Sequence, residues 1–312
     1  MATQAIGGVS GCAIILPSWL GENGGKRFGY HARYFSASTR FSKLAGMSRF
    51  HLMHCVPHPR MHGLNGYKEV IESVAWGLGQ LGHEVSYALN RYEPALTNIV
   101  FGAQVLPVEF LAKMPPNTVV YNFEQMRGLA DDNVRPELRH CAKHFQIWEY
   151  SAANIERWAM LNAARVKLVP VGYAPILTRI AKPSVQDIDV LLYGMSGDKR
   201  AEAFHRLSQA GLVVVFASGL YGQARDALIA RSKLVLNVNL YDHARIFEIV
   251  RVSYLLANRK AVVALVDPDT AMDEDLAASI RLSTMDRLVN DCYALADDPA
   301  ERAQLARKWG RE

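Results

Sequence analysis

The sequence predicts an α/β protein with two doubly wound domains that face each other across a cleft. The first observation is a strand, helix, strand unit at residues 233–263, where the apolar run LVLNV precedes apolar residues at helical spacing over 246–257 and a second apolar run over 261–266. Such a unit is typical of a right-handed parallel crossover. The second observation is that strands and helices alternate in the same way on both sides of an aperiodic stretch around Pro183.

The elements of the first half begin with a strand at FHLMHCV, a Pro/Gly-rich loop, a helix that ends at Gly82 and the strand HEVSYAL. Further buried strands are predicted at residues 98–104, 118–122 and 145–149, with helices between them. The second half begins with the strand DIDVLLYG and continues through LVVVFASG to the unit at 233–263, and two helices end the chain. We therefore expect a first domain at 47–177, a linker at 178–186 and a second domain at 187–312.

Residues 1–46 differ in composition from the rest and are set aside from this fold. Gly and Ser are frequent, and the stretch from Lys26 to Arg49 contains no acidic residue. We expect a disordered leader here, or an upstream start that precedes Met47.

Charge and cysteine usage restrict the class of protein. The net charge is +5, but eight basic residues and one acid precede Glu69, so the remainder has a net charge of about −2, and no nucleic-acid groove is expected. The four cysteines are far apart and contain no C-x-x-C pair, which indicates a reducing, cytoplasmic compartment. No apolar run approaches the ~20 residues of a transmembrane helix.

The helix of the 233–263 unit carries the first candidate site. Its amino terminus, predicted near Ile246, would offer free N–H groups to a phosphate, and Arg251 one turn later could hold a diphosphate with two hydrogen bonds. Glu248 lies three residues before Arg251 and could accept hydrogen bonds from ribose hydroxyls. The alternative is a helix that covers the sheet and carries an ordinary Glu–Arg pair.

Other donor-binding candidates lie on loops at the strand ends of the second domain. Gly194 would let the backbone approach a ligand, and Tyr221 could stack on a base. The alternatives for the charged and amide candidates are a solvated helix end and a structural hydrogen bond. The candidates on these loops are Gly194, Lys199, Arg200, Gly219, Tyr221 and Asn237.

The first domain offers candidates for a general base toward an acceptor hydroxyl. His58 and His62 lie in the loop after the first strand, where Gly63 and Gly66 would let the chain approach a diphosphate closely. Glu124 follows a strand directly and is a third candidate, although it could instead cap the next helix.

No metal site is expected. His51, His54, His58 and His62 have helical spacing, but Pro57 and Pro59 exclude that helix. The D-x-D pairs lie at a strand start or in an acidic loop, and no P-loop, G-x-G-x-x-G or G-x-S-x-G motif is present.

The order of elements, with LGHEV after the first helix and VPVGY at the domain junction, resembles that of GT-B glycosyltransferases, which have two Rossmann-like domains. From 189 to 263, SKLVLNV, Arg251 with Tyr254, and LLANRKAVV are similar to the group-1-like members. The resemblance implies a nucleotide-sugar donor in the second domain, an acceptor on the first, and Arg251 as the arginine that neutralises the diphosphate. The glutamate of that family falls on Tyr254, and its glycine before the last strand falls on Arg259.

We therefore expect a metal-independent glycosyltransferase that moves a sugar from a nucleotide diphosphate to an acceptor hydroxyl, with the sugar nucleotide as co-substrate and no cofactor. The acceptor would be a glycan, a lipid-linked molecule or a small molecule. The alternatives are an inactive GT-B scaffold that binds nucleotide or glycan, and a nucleotide-sugar epimerase.

Overall fold

Two parallel β-sheets with helices on their faces form the protein. The computed structural model describes residues 12–15, 47–57, 66–126, 133–240 and 245–308. In chain order the first elements are β1 (Cys12–Ile15), β2 (Arg49–His54), α1 (Lys68–Gln80), β3 (Glu84–Leu89), β4 (Thr97–Phe101), α2 (Val108–Leu111), β5 (Val119–Asn122), α3 (Pro136–His144), β6 (Gln146–Glu149), α4 (Ile155–Met160) and β7 (Val166–Leu168).

The second half of the chain continues the alternation of strands and helices. Its elements are β8 (Ile188–Tyr193), α5 (Asp198–Gln209), β9 (Val214–Ala217), α6 (Gly222–Arg231), β10 (Ser232–Val238), α7 (Ile249–Ala257), β11 (Ala261–Leu265), α8 (Glu274–Ala278), β12 (Arg281–Ser283), α9 (Leu288–Asp297) and α10 (Pro299–Lys308).

Each sheet has six strands, and every pairing between them is parallel. The strand orders are β3-β2-β4-β5-β6-β7 and β1-β9-β8-β10-β11-β12. The central strands are apolar runs because helices cover both faces of each sheet, and β4, β5, β10 and β11 are almost wholly buried. The predicted fold class, with two doubly wound sheets, is confirmed.

The first strand lies in a stretch that the sequence analysis set aside as a leader. β1 pairs with β9, so that Cys12 is opposite Val214 and Ile15 is opposite Ala217. The expectation that residues 1–46 lie outside the fold is therefore wrong for these four residues. The sequence CAII is a short apolar run that supplies hydrogen-bond partners to the edge of β9. The sequence analysis set this run aside because Gly and Ser are frequent in the stretch that contains it.

The helix of the 233–263 unit begins later than the sequence predicts. α7 starts at Ile249, not at Ile246. Ile246 instead forms a parallel bridge with Ala271, and the N–H of Phe247 donates to the Ala271 carbonyl at 3.1 Å. Because extended pairing already uses these backbone groups, the predicted phosphate-binding helix terminus near Ile246 is absent from the described structure.

The two domains pack against each other along α7 and α1. Ile246, Ile249 and Val250 join an apolar cluster that otherwise belongs to the first domain and includes Tyr150. In the opposite direction, Trp76 of α1 packs against the apolar core of the second domain. α7 is therefore an interdomain element as well as a cover for its own sheet.

The chain between the two sheets is held against the end of α7. The Thr178 hydroxyl donates to the Ala257 carbonyl at 2.9 Å, and the N–H of Ile180 donates to Asn258 Oδ1 at 2.8 Å. The segment predicted as a linker thus contacts the second domain directly. Across the described ranges, no helix has both the length and the apolar character that a membrane span requires.

Candidate functional site

The candidate site is at the carboxyl ends of β8 and β10, which are neighbours in the second sheet. Loops at this edge of a parallel sheet carry ligand-binding side chains in open α/β folds. Gly194 follows β8 directly, Asn237 is near the end of β10, and Arg251 is in the first turn of α7. The sequence predicted all three, and the structure brings them together.

Arg251 is the centre of this arrangement. Its guanidinium carbon is 5.4 Å from the centroid of the Tyr193 ring, and Nη1 donates to Asn237 Oδ1 at 3.4 Å. Its side chain keeps 19% of its surface exposed, so a ligand can reach the guanidinium. Tyr193 was not among the sequence candidates, although its place at the strand end next to Gly194 was a usable signal.

Gly194 and Arg251 are so close that only glycine fits without movement. The backbone of Gly194 has φ +126°, and a Cβ at that position would be 3.1 Å from Arg251 Nη2 and 2.9 Å from Arg200 Nη1. A conformation with positive φ strains any residue that has a side chain. The structure thus places the backbone of Gly194 against Arg251 and Arg200, and its predicted approach to a ligand stays a prediction.

Asn237 presents a buried donor that no described group accepts. Its side chain is fully buried, and Nδ2 has no hydrogen-bond partner among the residues that the structure describes. A buried donor without a partner costs about 1–3 kcal/mol. Because Oδ1 of the same amide is held by Arg251, Asn237 is a natural partner for an acceptor atom of a ligand at the strand ends.

Glu248 lies between two arginines. Its Oε1 is 3.4 Å from Arg200 Nη2, and its Oε2 is 3.1 Å from Arg251 Nη2 in an ion pair without hydrogen-bond geometry. The predicted i,i+3 pair of Glu248 and Arg251 is present. Two guanidinium groups share one carboxylate, which leaves a net positive charge at the strand ends and favours an anionic ligand.

Arg200 has a different place from the one the sequence predicts. Only 3% of its side chain is exposed, and it donates to the carbonyl oxygens of Val238, by Nε at 2.9 Å and Nη2 at 2.7 Å, and of Met195. The pKa of Arg200 is lowered to about 10, mainly by burial and in addition by the nearby Arg251, while Glu248 opposes this lowering. Arg200 therefore ties the loops after β8 and β10 together instead of facing solvent.

The remaining donor candidates surround this centre. Lys199 lies 3.5 Å from Asp267, beyond the end of β11. Tyr221 precedes α6, and burial raises the pKa of its phenol while the charges of Arg251 and Arg225 oppose that rise, so Tyr221 is near both. Gly219 has φ +67° in the turn between β9 and α6.

In the first domain, the loop after β5 lies toward this site. Glu124 Oε1 accepts from Gln104 Nε2 at 2.7 Å, and the same nitrogen donates to the Tyr67 hydroxyl at 3.2 Å. Burial raises the pKa of Glu124, and Arg135, Gln104 and Tyr67 oppose that rise. A carboxylate whose pKa is raised is a stronger base than an ordinary glutamate and is suited to accept a proton.

The residue after Glu124 makes a direct contact between the domains that no sequence pattern indicated. Gln125 Oε1 accepts from the N–H of Ile246 at 2.9 Å, just before Glu248 and α7. This hydrogen bond places the loop of Glu124 beside the segment that carries the arginine site.

Three candidates of the first domain cannot be placed. His58, His62 and Gly63 lie outside the described residues, and Gly66 directly precedes Tyr67 at the start of α1. No group of three or more His, Cys, Asp or Glu side chains among the described residues could hold a metal ion.

Glu149, which also ends a strand, has a structural role. It is fully buried and accepts hydrogen bonds from Asn122 at 2.8 Å, Trp158 at 2.7 Å, Asn154 at 3.1 Å and the N–H of Ser151 at 2.9 Å. Burial raises the pKa of Glu149, and these four donors oppose that rise. All its acceptor capacity is used within the first domain.

Comparison with known proteins identifies the architecture. An α-glucosyltransferase in complex with UDP and a 13-mer DNA superposes with a TM-score of 0.52 and 12% identity, over 83% of this chain and 93% of that one. AviGT4, a glycosyltransferase involved in avilamycin A biosynthesis, superposes with a TM-score of 0.52 and 14% identity, over 83% of this chain and 92% of that one. Anabaena HepE, in complex with UDP and glucose, superposes with a TM-score of 0.51 and 13% identity, over 84% of this chain and 93% of that one. The fold is GT-B.

Sequence comparison adds little to this likeness. No protein-family profile matches the chain. An uncharacterized protein of Acanthamoeba polyphaga mimivirus is 28% identical over 160 residues, a match that spans 50% of this chain and 50% of that protein. At identities of 12–14%, the similar structures establish the GT-B fold and leave the function to be argued from the site.

Proposed function

We propose that the protein is a glycosyltransferase that moves a sugar from a nucleotide diphosphate to an acceptor hydroxyl without a metal ion. The observation that supports it best is Arg251, a reachable guanidinium at the ends of β8 and β10, beside Gly194 and beside Asn237, whose Nδ2 has no hydrogen-bond partner among the described residues. Arginine binds phosphate oxygens with two parallel hydrogen bonds, and a positive charge there would stabilise the departing diphosphate.

Two further observations support this proposal. The similar structures named above include enzymes in complex with UDP, and this chain shares their fold. Glu124 is held at the first domain's edge by Gln104, next to the interdomain hydrogen bond of Gln125, and its raised pKa suits a base toward the acceptor. His58 and His62 remain alternative bases in this proposal.

Nucleotide binding is tested by calorimetric titration of UDP, GDP and ADP against wild type and Arg251→Ala. Because charge-assisted hydrogen bonds contribute about 1.5–3 kcal/mol, we expect affinity to fall about 10- to 100-fold. The matched control is Arg206→Ala, which removes an exposed arginine of α5 paired with Glu202 and should leave the affinity unchanged. Absence of binding by every nucleotide would contradict both the transferase and the epimerase functions.

Turnover is tested by incubation with sugar nucleotides and candidate acceptors, followed by mass spectrometry, with and without EDTA. Transfer that persists in EDTA supports the metal-independent reaction. We propose a glycan, lipid-linked molecule or small molecule as acceptor, and a DNA duplex belongs in the same screen because one enzyme of this fold is known with DNA. Binding without transfer or hydrolysis would favour the scaffold, and an altered sugar on the nucleotide would favour the epimerase.

A further inference from the structure

A buried ion pair joins the two domains behind the candidate donor site. Glu69, in the first turn of α1, accepts from Arg225 Nη2 of α6 at 2.7 Å. Only 6% of Glu69 and 5% of Arg225 is exposed. Both charges are removed from water in this contact, and each has one further partner: Arg225 Nη2 also donates to Asp226 Oδ1 at 2.8 Å, and Arg179 Nη2 lies 3.5 Å from Glu69 Oε1. Removing Glu69 or Arg225 therefore leaves the other buried charge with only its second partner, which is destabilising.

Tyr254 of α7 is the centre of the cluster around this pair. The guanidinium carbon of Arg225 is 4.6 Å from the centroid of its ring, and that of Arg179 is 5.3 Å away. The Tyr254 hydroxyl donates to Asp226 Oδ2 at 2.9 Å and accepts from Arg179 Nε at 3.1 Å. Arg179 in turn donates to Glu72 of α1 at 2.7 Å. The phenol of Tyr254 is thereby committed to protein groups.

The cluster includes residues of α6 and α7, about one turn away from two of the donor candidates. Tyr254 is three residues after Arg251, so the two lie on the same side of α7. Arg225 lies in the first turn of α6, and Tyr221 directly precedes that helix. A change in the distance between α1 and the second domain would therefore move Arg225 and Tyr254, and with them the turns that hold Tyr221 and Arg251.

We propose that Glu69 and Arg225 are positioning residues for the donor site, since their ion pair sets the placement of Tyr221 and Arg251 from across the domain interface. This inference rests on the proposed function. It predicts reciprocity: nucleotide bound at Arg251 strengthens the contact with α1, and loss of that contact weakens nucleotide binding.

The protein contains its own reporter for this coupling. Trp76 lies two turns after Glu69 on α1 and packs against the core of the second domain. UDP bound at the second domain should change the fluorescence of this indole, and Trp76→Phe identifies the part of the signal that belongs to it.

The experiment measures UDP affinity, the UDP-dependent change in Trp76 fluorescence and the free energy of unfolding in Glu69→Gln, Arg225→Met and the double variant Glu69→Met with Arg225→Met. We expect UDP binding about tenfold weaker and no UDP-dependent Trp76 change in all three. The double variant leaves neither member of the pair charged, so its stability should recover in part while its UDP affinity stays low. The control Asp187→Asn breaks the exposed ion pair to Arg231, at the other end of α6, and should behave as wild type.

Two results would overturn the inference and can be told apart. If UDP binds the variants as tightly as wild type while their stability falls, the pair has a structural role only and the proposed function stands. If wild type binds no nucleoside diphosphate, the proposed function fails, and the positioning role fails with it.

Discussion

A Cβ on Gly194 would stand 3.1 Å from Nη2 of Arg251, closer than side chains normally approach. The backbone at the end of β8 and the guanidinium of Arg251 thus lie side by side. A phosphate that binds Arg251 could therefore also approach the backbone of Gly194. The same residue has φ +126°, so the backbone conformation favours glycine, and an added Cβ would in addition push the ends of the Arg251 and Arg200 side chains away.

Gly194→Ala should therefore lower the free energy of unfolding by about 1–3 kcal/mol and displace Arg251, which weakens UDP binding about tenfold. The matched control is Gly82→Ala, where φ is +82° but no atom lies within 4 Å of the added Cβ. In Gly82→Ala, backbone strain alone should lower the free energy of unfolding, by about 1–2 kcal/mol, and the UDP affinity should equal that of wild type. Denaturant titration and calorimetry measure both effects, and equal behaviour of the two variants would contradict the crowding at Gly194.

Glu124→Gln should lower the rate of sugar transfer by about 10²-fold or more, because the amide cannot accept the acceptor's proton. In the wild-type enzyme, burial raises the pKa of Glu124, so kcat/KM should fall as the pH drops through that raised pKa and the base becomes protonated. UDP affinity should not change. The control is Glu109→Gln, an exposed carboxylate of α2. Full activity in Glu124→Gln would instead assign the base to His58 or His62.

Arg259→Gly should stabilise the protein. Arg259 has φ +52° in the turn before β11, the position where the resemblance to GT-B glycosyltransferases places a glycine. An L-residue in this region costs about 1–2 kcal/mol, and part of this is offset by the greater freedom of glycine in the unfolded chain, so we expect a gain of about 0.5–1 kcal/mol. Arg259→Ala removes the same exposed side chain without relieving the backbone. A thermal melt in which both variants shift equally would contradict this explanation.

Lys260→Met should change how stability depends on pH. The pKa of Lys260 is lowered from 10.5 to about 8, mainly by burial and in addition by the charges of Lys182 and Arg302. Between these values the unfolded chain binds more protons, so the free energy of unfolding of wild type should rise as the pH increases from about 8 to 10.5. Met removes this dependence and should add about 1–3 kcal/mol at pH 7.

The substitution at Lys260 leaves its partner satisfied. Lys260 Nζ donates to the Ser232 carbonyl at 2.5 Å, and Gln186 Nε2 donates to the same oxygen at 2.7 Å. Lys113→Met, at an exposed lysine after α2, is the control and should keep the wild-type slope in urea titrations at several pH values. If the free energy of unfolding of Lys260→Met depended on pH as steeply as that of wild type, burial would not lower the pKa of Lys260.

The sheets were predictable because parallel strands covered on both faces are apolar runs along most of their length. The same logic located Arg251, since a helix that follows a strand begins at the sheet's carboxyl edge. What could not be predicted depends on contacts between distant segments. The start of α7 is set by Ala271 and Gln125, and the burial of Arg200 is set by the carbonyl of Val238. No local pattern encodes either one.

Tyr254 is another residue whose contacts could not be predicted from the local sequence. The sequence identified it only as a departure from a glutamate in the resembling family. The structure shows its contacts: Arg179 and Arg225 lie against the ring of Tyr254, and Asp226 accepts from its hydroxyl. Aromatic rings bind guanidinium groups on their faces, and the ring of Tyr254 holds the two arginines, Arg179 and Arg225, that donate to carboxylates of α1.

The pairing of β1 with β9 makes the order of domains along the chain discontinuous. The second sheet is completed by residues that precede the whole first domain, so a cut at 178–186 yields one fragment with an extra tail and another that lacks an edge strand. The unpaired backbone of β9 in the latter fragment would be open to strands of other molecules, and aggregation of the isolated half is the expected result. Dissection of this protein into independent halves should therefore retain Cys12–Ile15 with the second half, for example by circular permutation.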